Sequence, residues 1–451
     1  MLVIISDLHL TDDTSGKTIN AGAFRDFRAR LQELALDASR RATGRFQPPE
    51  AIELVLLGDI FDPLHSARWH TGEVQVRPWE HESKPLLFQQ KIADITEAII
   101  SRNEEALAVL RGLSGAEPLR LREPGRVGAP EIAVPVNITY MVGNHDWYYH
   151  LPGGGFEAIR YRIRQVMGLA NEPGPFPHEP EESARLFDIF RSHRTYARHG
   201  DKFDGLNYEE AQGRDAATLG DASVVELINR FPHEVRRRVG DLPPAFVAGL
   251  DELANVRPSL MVPVWVDALL RHADLPARQV YQIKEIWNGL AEEFISLPFV
   301  QARDQPLALD QVDALELSLH LSTGFSFRGL ARLATFVQER IWKGDTSFAR
   351  HALEEPAFED PAFDHIVYGH THRHEVVPLR IRRHRGRPAN QFYLNSGTWH
   401  AIQQRTLSEG MVAPNFAFYH VMTYLAFFRE DERSGRPFET WSGTLGFREL
   451  D

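Results

Sequence analysis

Short apolar segments recur along the chain, and polar residues follow each of them. Four such segments are Leu2–Ile5, Ile52–Leu57, Ile138–Val142 and Ile366–Tyr368. Each is rich in β-branched or aromatic residues and ends at glycine or a polar cluster, which is typical of a buried strand. The hydrophobic pattern therefore predicts a set of short, buried strands.

A helix is predicted between the first two strands, at residues 23–41. Its apolar positions are spaced so that one helix face packs on a sheet, and they are Phe24, Phe27, Leu31, Leu34 and Leu36. The order strand, helix, strand indicates an α/β layer architecture.

The middle of the chain has a different pattern. Apolar residues spaced by three and four predict an amphipathic helix over Val280, Ile283, Trp287, Leu290 and Phe294. Strand signals are scarce from about residue 205 to residue 345. We therefore expect a helical insertion or cap at residues 205–345, which divides an α/β core into residues 1–204 and 346–451.

Composition narrows the class of protein. The 451 residues are 43% hydrophobic, which is ordinary for a globular protein and rules out a disordered chain or a coiled-coil rod. The net charge of −12 disfavours a generally basic nucleic-acid binder. The absence of cysteine excludes disulfides, thiolate catalysis and cysteine metal sites. No targeting segment and no apolar run near the length of a membrane span stand out, so we expect a cytoplasmic protein.

Residues that could ligate a metal or take part in catalysis are concentrated at the ends of the apolar segments. Five runs of polar residues follow strand-like segments: Asp7-Leu8-His9, Gly58-Asp59-Ile60-Phe61-Asp62, Gly143-Asn144-His145-Asp146, His199-Gly200-Asp201 and Gly369-His370-Thr371-His372. Taken singly, each is compatible with an ordinary polar turn. Ligands of α/β proteins bind outside the carboxyl ends of strands, so five such runs predict one polar site.

The residue types favour a divalent metal. Aspartate, asparagine and histidine without cysteine suit Mn, Fe, Zn, Ni or Mg. Seven candidate ligands are too many for one catalytic ion with an open position, but they suit two ions that share a carboxylate. Two divalent ions held by two aspartates leave net positive charge toward the substrate, which favours an anion such as phosphate.

The motifs resemble those of the calcineurin-like metallophosphoesterase superfamily. That pattern is Asp-x-His, Gly-Asp-x-x-Asp, Gly-Asn-His-Asp/Glu, a histidine before glycine, and Gly-His-x-His, and all five occur here in order. Asn395-Ser396-Gly397 also resembles a turn that follows the last motif. The resemblance implies an α/β fold that is a four-layer α/β/β/α sandwich of two mixed sheets, here with a helical insertion.

The resemblance also implies two metal sites that share one carboxylate. The ligands of one ion would be Asp7, His9, Asp59 and His372. The ligands of the other would be Asp59, Asn144, His199 and His370, with Asp59 bridging. Manganese is the first expectation for both ions, with Fe, Zn, Ni or Mg as the options.

Two further roles follow from the resemblance, and a third is our own inference. His145 would lie beside the substrate phosphate and assist the leaving group, and Asp62 would orient His145. We add the expectation that Asp201 supports His199 from outside the ligand shell, with an ordinary surface turn as the alternative.

The expected function is a metal-dependent phosphoric ester hydrolase. A metal-bound hydroxide would cleave a phosphomonoester, phosphodiester or pyrophosphate bond. Within the superfamily, the motifs around Asp7, Asp59 and His199 are similar to UDP-diacylglucosamine pyrophosphohydrolases, although that family has arginine where this chain has His145. One alternative is a DNA or RNA nuclease, against which the acidic net charge counts. The other is a non-catalytic metal-binding scaffold, against which the complete ligand set counts.

The insertion is expected to affect access to the site. It begins soon after His199 and ends before His370, which are proposed ligands of the same ion. It is too long to be a plain connection. We expect its helices to stand over the site as a cap, with a peripheral helical lobe as the alternative.

Overall fold

The structure is a computed structural model that describes residues 1–72, 75–257, 259–303, 319, 348–384, 387–405 and 416–448. Its strands are β1 (Leu2–Ile5), β2 (Ile52–Leu57), β3 (Leu119–Leu121), β4 (Ile132–Val134), β5 (Val136–Met141), β6 (Thr195–Ala197), β7 (Val256–Arg257), β8 (His365–Tyr368), β9 (His374–His384), β10 (Arg387–Ser396), β11 (Ala401–Arg405), β12 (Phe416–Phe427) and β13 (Phe438–Arg448). Its α-helices are α1 (Ala21–Ala38), α2 (Pro85–Arg102), α3 (Glu104–Ser114), α4 (Gly154–Met167), α5 (Ala184–Ser192), α6 (Leu219–Ser223), α7 (Arg230–Arg238), α8 (Pro244–Asp251), α9 (Val262–His272), α10 (Ala277–Ile295) and α11 (Pro298–Gln301). A π-helix at Val224–Asn229 joins α6 to α7.

The larger sheet has the strand order β5-β2-β1-β12-β11-β7, and β13 pairs with β12. Its strands β1, β2 and β5 are parallel, whereas β12 runs antiparallel to β1. Every residue of β1 is buried. Val3 and Ile5 lie in a core shared with the helices, while Leu2 and Ile4 pack toward the second sheet. Because side chains alternate along a strand, an uninterrupted apolar run produces a strand that is covered on both faces.

The second sheet has the strand order β6-β8-β10-β9. It packs on the larger sheet through one hydrophobic cluster, in which Val55 and Met141 of the larger sheet join Val367 and Leu394 of the second. Strands β6, β8 and β10 are parallel, and β9 is the antiparallel edge strand. The carboxyl ends of parallel strands therefore occur in both of the packed sheets.

The insertion has a hydrophobic core of its own. Trp265 and Trp287 are buried in it, and Phe416 of β12 packs edge-on against Trp265 with ring centroids 5.1 Å apart. The short strand β7 lies within the insertion and pairs in parallel with β11. The insertion is thus attached to the larger sheet both by strand pairing and by side-chain packing.

The predicted α/β class is confirmed, since the chain combines mixed sheets with many helices. The strands at Leu2–Ile5 and Ile52–Leu57 have the predicted bounds, and the helix predicted at residues 23–41 is α1. The pattern at Val280–Phe294 lies within α10. The strand β7 was not predicted. The domain boundaries stay a prediction, and residues 258, 304–318 and 320–345 of the predicted insertion lie outside the described residues.

Membrane crossing was tested on the helices of the described ranges. None of them combines the length with the apolar character that a bilayer span requires.

Candidate metal centre

Five loops meet where the strands of the two packed sheets end. The loops after β1 and β2 are joined by backbone hydrogen bonds, in which Asp7 N donates to Gly58 O (3.1 Å) and His9 N donates to Asp59 O (2.9 Å). The loops after β6 and β8 are joined in the same way, since Gly369 N donates to His199 O (2.9 Å). The polar residues that the sequence places at strand ends are therefore brought together in one place.

The backbone of this centre is unusual. Five of the candidate ligands have φ between 45° and 64°, in the left-handed region, and they are Asp7, His9, Asp59, His370 and His372. Non-glycine residues in this region carry a cost of order 1–3 kcal/mol each and cluster at functional sites. This strained backbone conformation turns several polar side chains toward one point.

The first ligand group consists of Asp7, His9 and His372. The Nε2 atoms of the two histidines lie 2.9 Å apart. Asp7 Oδ1 is 3.4 Å from His372 Nε2 and 3.9 Å from His9 Nε2. All three residues are buried. Three donor atoms therefore point into the same small volume.

The second group consists of Asp59, His199 and His370, and Asn144 belongs to it by distance. Asn144 Oδ1 lies 3.2 Å from His199 Nε2 and 2.9 Å from His370 Nδ1. Asp59 Oδ2 lies 3.2 Å from His199 Nε2. The same Asp59 oxygen is 3.8 Å from His9 Nε2 in the first group. One carboxylate oxygen thus faces both groups, which is the position of a bridging ligand.

Hydrogen bonds on the outer side of each ring orient these donors. His9 Nδ1 pairs with Asp62 Oδ2 (2.8 Å), His199 Nδ1 with Leu57 O (2.9 Å) and His370 Nε2 with Asp204 Oδ2 (3.1 Å). Each acceptor holds the ring N–H on the outside and turns the opposite ring nitrogen inward, where it can ligate a metal once it carries no proton.

Asn144 is oriented in the same manner. Its Nδ2 donates to Asn207 Oδ1 (3.3 Å), so its oxygen faces the histidines. His199 Nε2, His370 Nδ1 and Asn144 Oδ1 then converge beside the Asp59 carboxylate. Converging donor atoms repel one another unless a proton or a cation lies between them. The chemistry of the donor set therefore fits divalent metal ions, although it identifies neither the metal nor the number of ions.

The charges of the centre act strongly on its titratable groups. Burial lowers the pKa of His199, but the Asp59 carboxylate outweighs burial and raises that pKa to about 10. Burial alone would raise the pKa of Asp59, but His199 and His145 lower it below its usual value. Burial holds the pKa of His372 well below its usual value, so that imidazole stays neutral and able to ligate a metal.

Asp62 is a hub for three histidines. Besides His9, it receives His145 Nδ1 at 3.0 Å and His65 Nδ1 at 2.6 Å. Asp62 and these three histidines also have the composition and spacing of a metal-binding cluster. Hydrogen bonds from three ring N–H groups to one carboxylate explain these contacts without a metal ion. Burial alone would raise the pKa of Asp62, but its neighbours, mainly the positive charge of His145, hold that pKa well below its usual value.

His145 lies beside the Asp59 carboxylate and is hydrogen-bonded to Asp62. Its backbone N donates to Asp59 Oδ1 (2.8 Å), and its Nδ1 is held by Asp62. Its Nε2 forms no hydrogen bond to any residue of the described ranges. Burial lowers the pKa of His145, but Asp62 and Asp59 outweigh burial and raise it to about 9. A positively charged imidazole with one unengaged N–H therefore lies beside the two ligand groups.

Asp201 has a different partner from the one expected. Its Oδ1 accepts from Arg214 Nη2 (2.8 Å), while the ring of His199 is oriented by the Leu57 carbonyl. The supporting carboxylate for a ligand is instead Asp204, which holds His370. Asp201 sits only two residues after His199, and the turn at Gly200 (φ 101°) directs its side chain elsewhere.

Two glycines are required by the close packing around His199. A Cβ atom at Gly58 would lie 2.5 Å from His199 Nδ1, and one at Gly143 would lie 2.7 Å from His199 Nε2. Any side chain at either position would displace the imidazole. Both glycines belong to the motifs found in the sequence, and the structure gives their physical reason.

A third cluster of ligating residues lies outside the centre and contains His150, His178 and Asp215. His150 Nδ1 pairs with Asp215 Oδ1 at 2.7 Å, and Asp215 and Glu182 raise the pKa of His150 to about 9 despite burial. Arg214 donates to His178 Nδ1 (3.1 Å). An ion-pair network explains these contacts without a metal ion.

No protein-family model, no curated protein and no solved structure matches this chain. The function of the chain must therefore be inferred from the residues of the centre.

Sequence reasoning missed His65, Asp204 and Asn207 as parts of the centre. His65 follows Asp62 by three residues, and this spacing within one turn was the available signal. Asn207 carries no motif, and only the folded loop brings it to Asn144.

We predict that metal binding releases a proton from His199. With a pKa of about 10, the imidazole of His199 is protonated on both nitrogens at neutral pH. The Nδ1 proton is held by Leu57 O, so the proton that can leave is the one on Nε2, which is the atom that would bind the metal. A metal ion must displace this proton, so the apparent affinity for Mn should rise as pH increases toward about 10.

Calorimetric titration of chelator-treated protein with Mn, in buffers of different ionisation enthalpy, measures this release. The variant His150→Gln is the matched control, since it removes a histidine of raised pKa outside the centre, and it should leave the release unchanged. Heats that do not depend on the buffer, with an affinity that does not depend on pH, would contradict the assignment.

Proposed function

We propose that this chain is a dinuclear metal-dependent phosphoesterase of the calcineurin-like metallophosphoesterase superfamily. It would hydrolyse a phosphomonoester, phosphodiester or pyrophosphate bond. The observation that carries the proposal is the position of Asp59 Oδ2, which faces His199 Nε2 at 3.2 Å on one side and His9 Nε2 at 3.8 Å on the other. A carboxylate shared by two histidine-containing ligand groups is the arrangement that two-metal hydrolases use.

The fold supports membership of that superfamily. The two sheets share one apolar cluster, and helices α1 to α4 contribute to the core on the outer face of the larger sheet. On the outer face of the second sheet, Ile366 and Tyr393 pack with Ala352 and Phe358 from residues 348–363. These contacts are compatible with the four-layer α/β/β/α sandwich that the motifs imply.

The first metal would be held by Asp7, His9, His372 and Asp59, and the second by Asp59, Asn144, His199 and His370. When bound, the two ions would supply a water of lowered pKa and positive charge for the phosphate oxygens. Manganese fits the oxygen and nitrogen donors, as do Fe, Zn, Ni and Mg.

The chain's own residues supply the remaining chemistry. His145 presents Nε2 beside the centre, and Asp62 fixes its ring through Nδ1. Among its neighbours, Asp62 raises the pKa of His145 most, and Asp62 is not a proposed metal ligand, so its charge favours a protonated imidazole that can hydrogen-bond or donate to the departing oxygen. The same positive charge favours an anionic substrate.

Asp146 holds the loop that carries His145. Its carboxylate accepts from Gly143 N (2.6 Å), Ile60 N (2.9 Å) and the Tyr140 hydroxyl (2.7 Å). Because the loops after β2 and β5 are both tied to one carboxylate, Asp59 and His145 keep a fixed mutual position.

We expect the Mn-loaded protein to hydrolyse at least one phosphate ester. The panel consists of p-nitrophenyl phosphate, bis(p-nitrophenyl) phosphate, a UDP-sugar pyrophosphate, and single- and double-stranded DNA. Asp59→Asn should abolish the activity and weaken both ions together, because its oxygen serves both groups. Asp215→Asn, which alters an aspartate beside histidines outside the centre, is the matched control and should retain activity. Wild-type protein that binds two Mn ions per chain yet cleaves none of these substrates would favour the non-catalytic scaffold.

We predict that His145→Ala lowers kcat while the metal content stays at the wild-type value. General acid assistance is typically worth 10²–10⁴-fold, so a loss of roughly that size is expected for esters of poor leaving groups. Esters of p-nitrophenol need no proton on the departing oxygen and should lose much less. His272→Ala, at the end of α9, is the control for removal of a histidine. Loss of metal from His145→Ala would show that the residue is a ligand or a structural element.

A further inference from the structure

The insertion contributes a charged side chain to the metal centre. Strand β7 pairs with β11, with Arg257 opposite Gln404, and the neighbouring Val256 is buried in the insertion core. This pairing brings Arg257 Nε to 3.3 Å from Nδ1 of His372, a proposed metal ligand. A residue from the middle of the predicted insertion thus touches a proposed ligand of the centre.

The guanidinium group of Arg257 is held at Nη1 and has a second donor without a partner in the described ranges. Its Nη1 donates to Ala254 O (2.7 Å) and Val256 O (3.1 Å). Its Nη2 forms no hydrogen bond to any residue of the described part of the chain. The backbone carbonyls therefore hold the group in place, while on its other edge Nε contacts His372 and Nη2 is available to a ligand.

Arg257 also differs from other arginines of the insertion. Arg230, Arg236 and Arg271 each form an ion pair with a carboxylate of the insertion. Within the described ranges, Arg257 has no carboxylate at ion-pair distance, although Asp62, Asp7 and Asp59 act on it through space. A partly buried arginine without a paired anion is costly to maintain unless an anion binds there.

Metal ligation would free Arg257 further. If His372 binds an ion through Nε2, its Nδ1 must carry the ring hydrogen, and it then cannot accept a hydrogen bond from Arg257 Nε. Two ions would also neutralise Asp7 and Asp59. Both Nε and Nη2 of Arg257 would then have no partner among the described residues.

We propose that Arg257 binds the phosphate group of the substrate through Nε and Nη2, so that the insertion completes the substrate site. This inference rests on the proposed phosphoesterase function and adds a specificity-determining residue to it. Arginine suits this role because its planar fork matches two oxygens of a phosphate. Asn207, at the start of the insertion, already orients Asn144, so the insertion contacts the centre at both ligand groups.

The test is calorimetric binding of inorganic phosphate to the Mn-loaded protein. Arg257→Gln should weaken phosphate binding roughly 10- to 100-fold, the scale of a lost hydrogen bond to a charged group, with unchanged Mn content. In steady-state assays the same variant should raise KM more than it lowers kcat. Arg236→Gln removes a positive charge elsewhere in the insertion and should leave phosphate binding unchanged.

A structural role for Arg257 predicts a different result. If the residue only ties down Ala254 and Val256, Arg257→Gln lowers the melting temperature while the folded fraction binds phosphate as tightly as wild type, which would overturn the proposal. Should Arg257→Gln fail to fold, Arg257→Lys decides, because lysine lacks the paired donors, and wild-type affinity in that variant would also overturn it. Wild-type protein with two Mn ions that neither binds phosphate nor cleaves an ester would overturn the proposed function and this inference together.

Discussion

The convergence of donor atoms around one oxygen of Asp59 is the constraint on which the rest of the structure depends. His9, His199, His370 and Asn144 each turn one donor atom inward because an acceptor on their outer side fixes them. Such donors repel one another unless a proton or a cation lies between them, and the proton held by His199 is the one that a metal ion would replace. Five non-glycine residues adopt the left-handed region to form this arrangement, and the surrounding fold must stabilise that strained backbone.

The packing of the two sheets explains how the centre is kept in place. The first group takes Asp7 and His9 from the larger sheet and His372 from the second, and Asp59 from the larger sheet meets His199 and His370 from the second. Neither sheet alone carries a complete ligand group. The apolar cluster between the sheets, which includes Ile4 and Val367, therefore positions the ligands as well as stabilising the core. The β7–β11 pairing attaches the predicted insertion to the same framework.

Much of this arrangement could be predicted because it is encoded locally. Strands such as Leu2–Ile5 are continuous apolar runs, and each ligand lies within a few residues of a strand end. The hydrogen-bond partners could not be predicted in the same way. Asp201 was expected to support His199, but its carboxylate accepts its hydrogen bond from Arg214, and it acts on His199 only through its charge, which helps to raise the pKa of His199. Arg257 lies in a stretch without strand signals, and only pairing with β11, far along the chain, brings it to His372.

Anomalous diffraction at the manganese edge, from crystals of the Mn-loaded protein, tests the central claim most directly. We expect two peaks about 3.5–4 Å apart, one beside Asp7, His9 and His372 and the other beside Asn144, His199 and His370, with Asp59 between them. A single peak in this region, or peaks only at the Asp62 hub or at His150, His178 and Asp215, would contradict the two-metal centre.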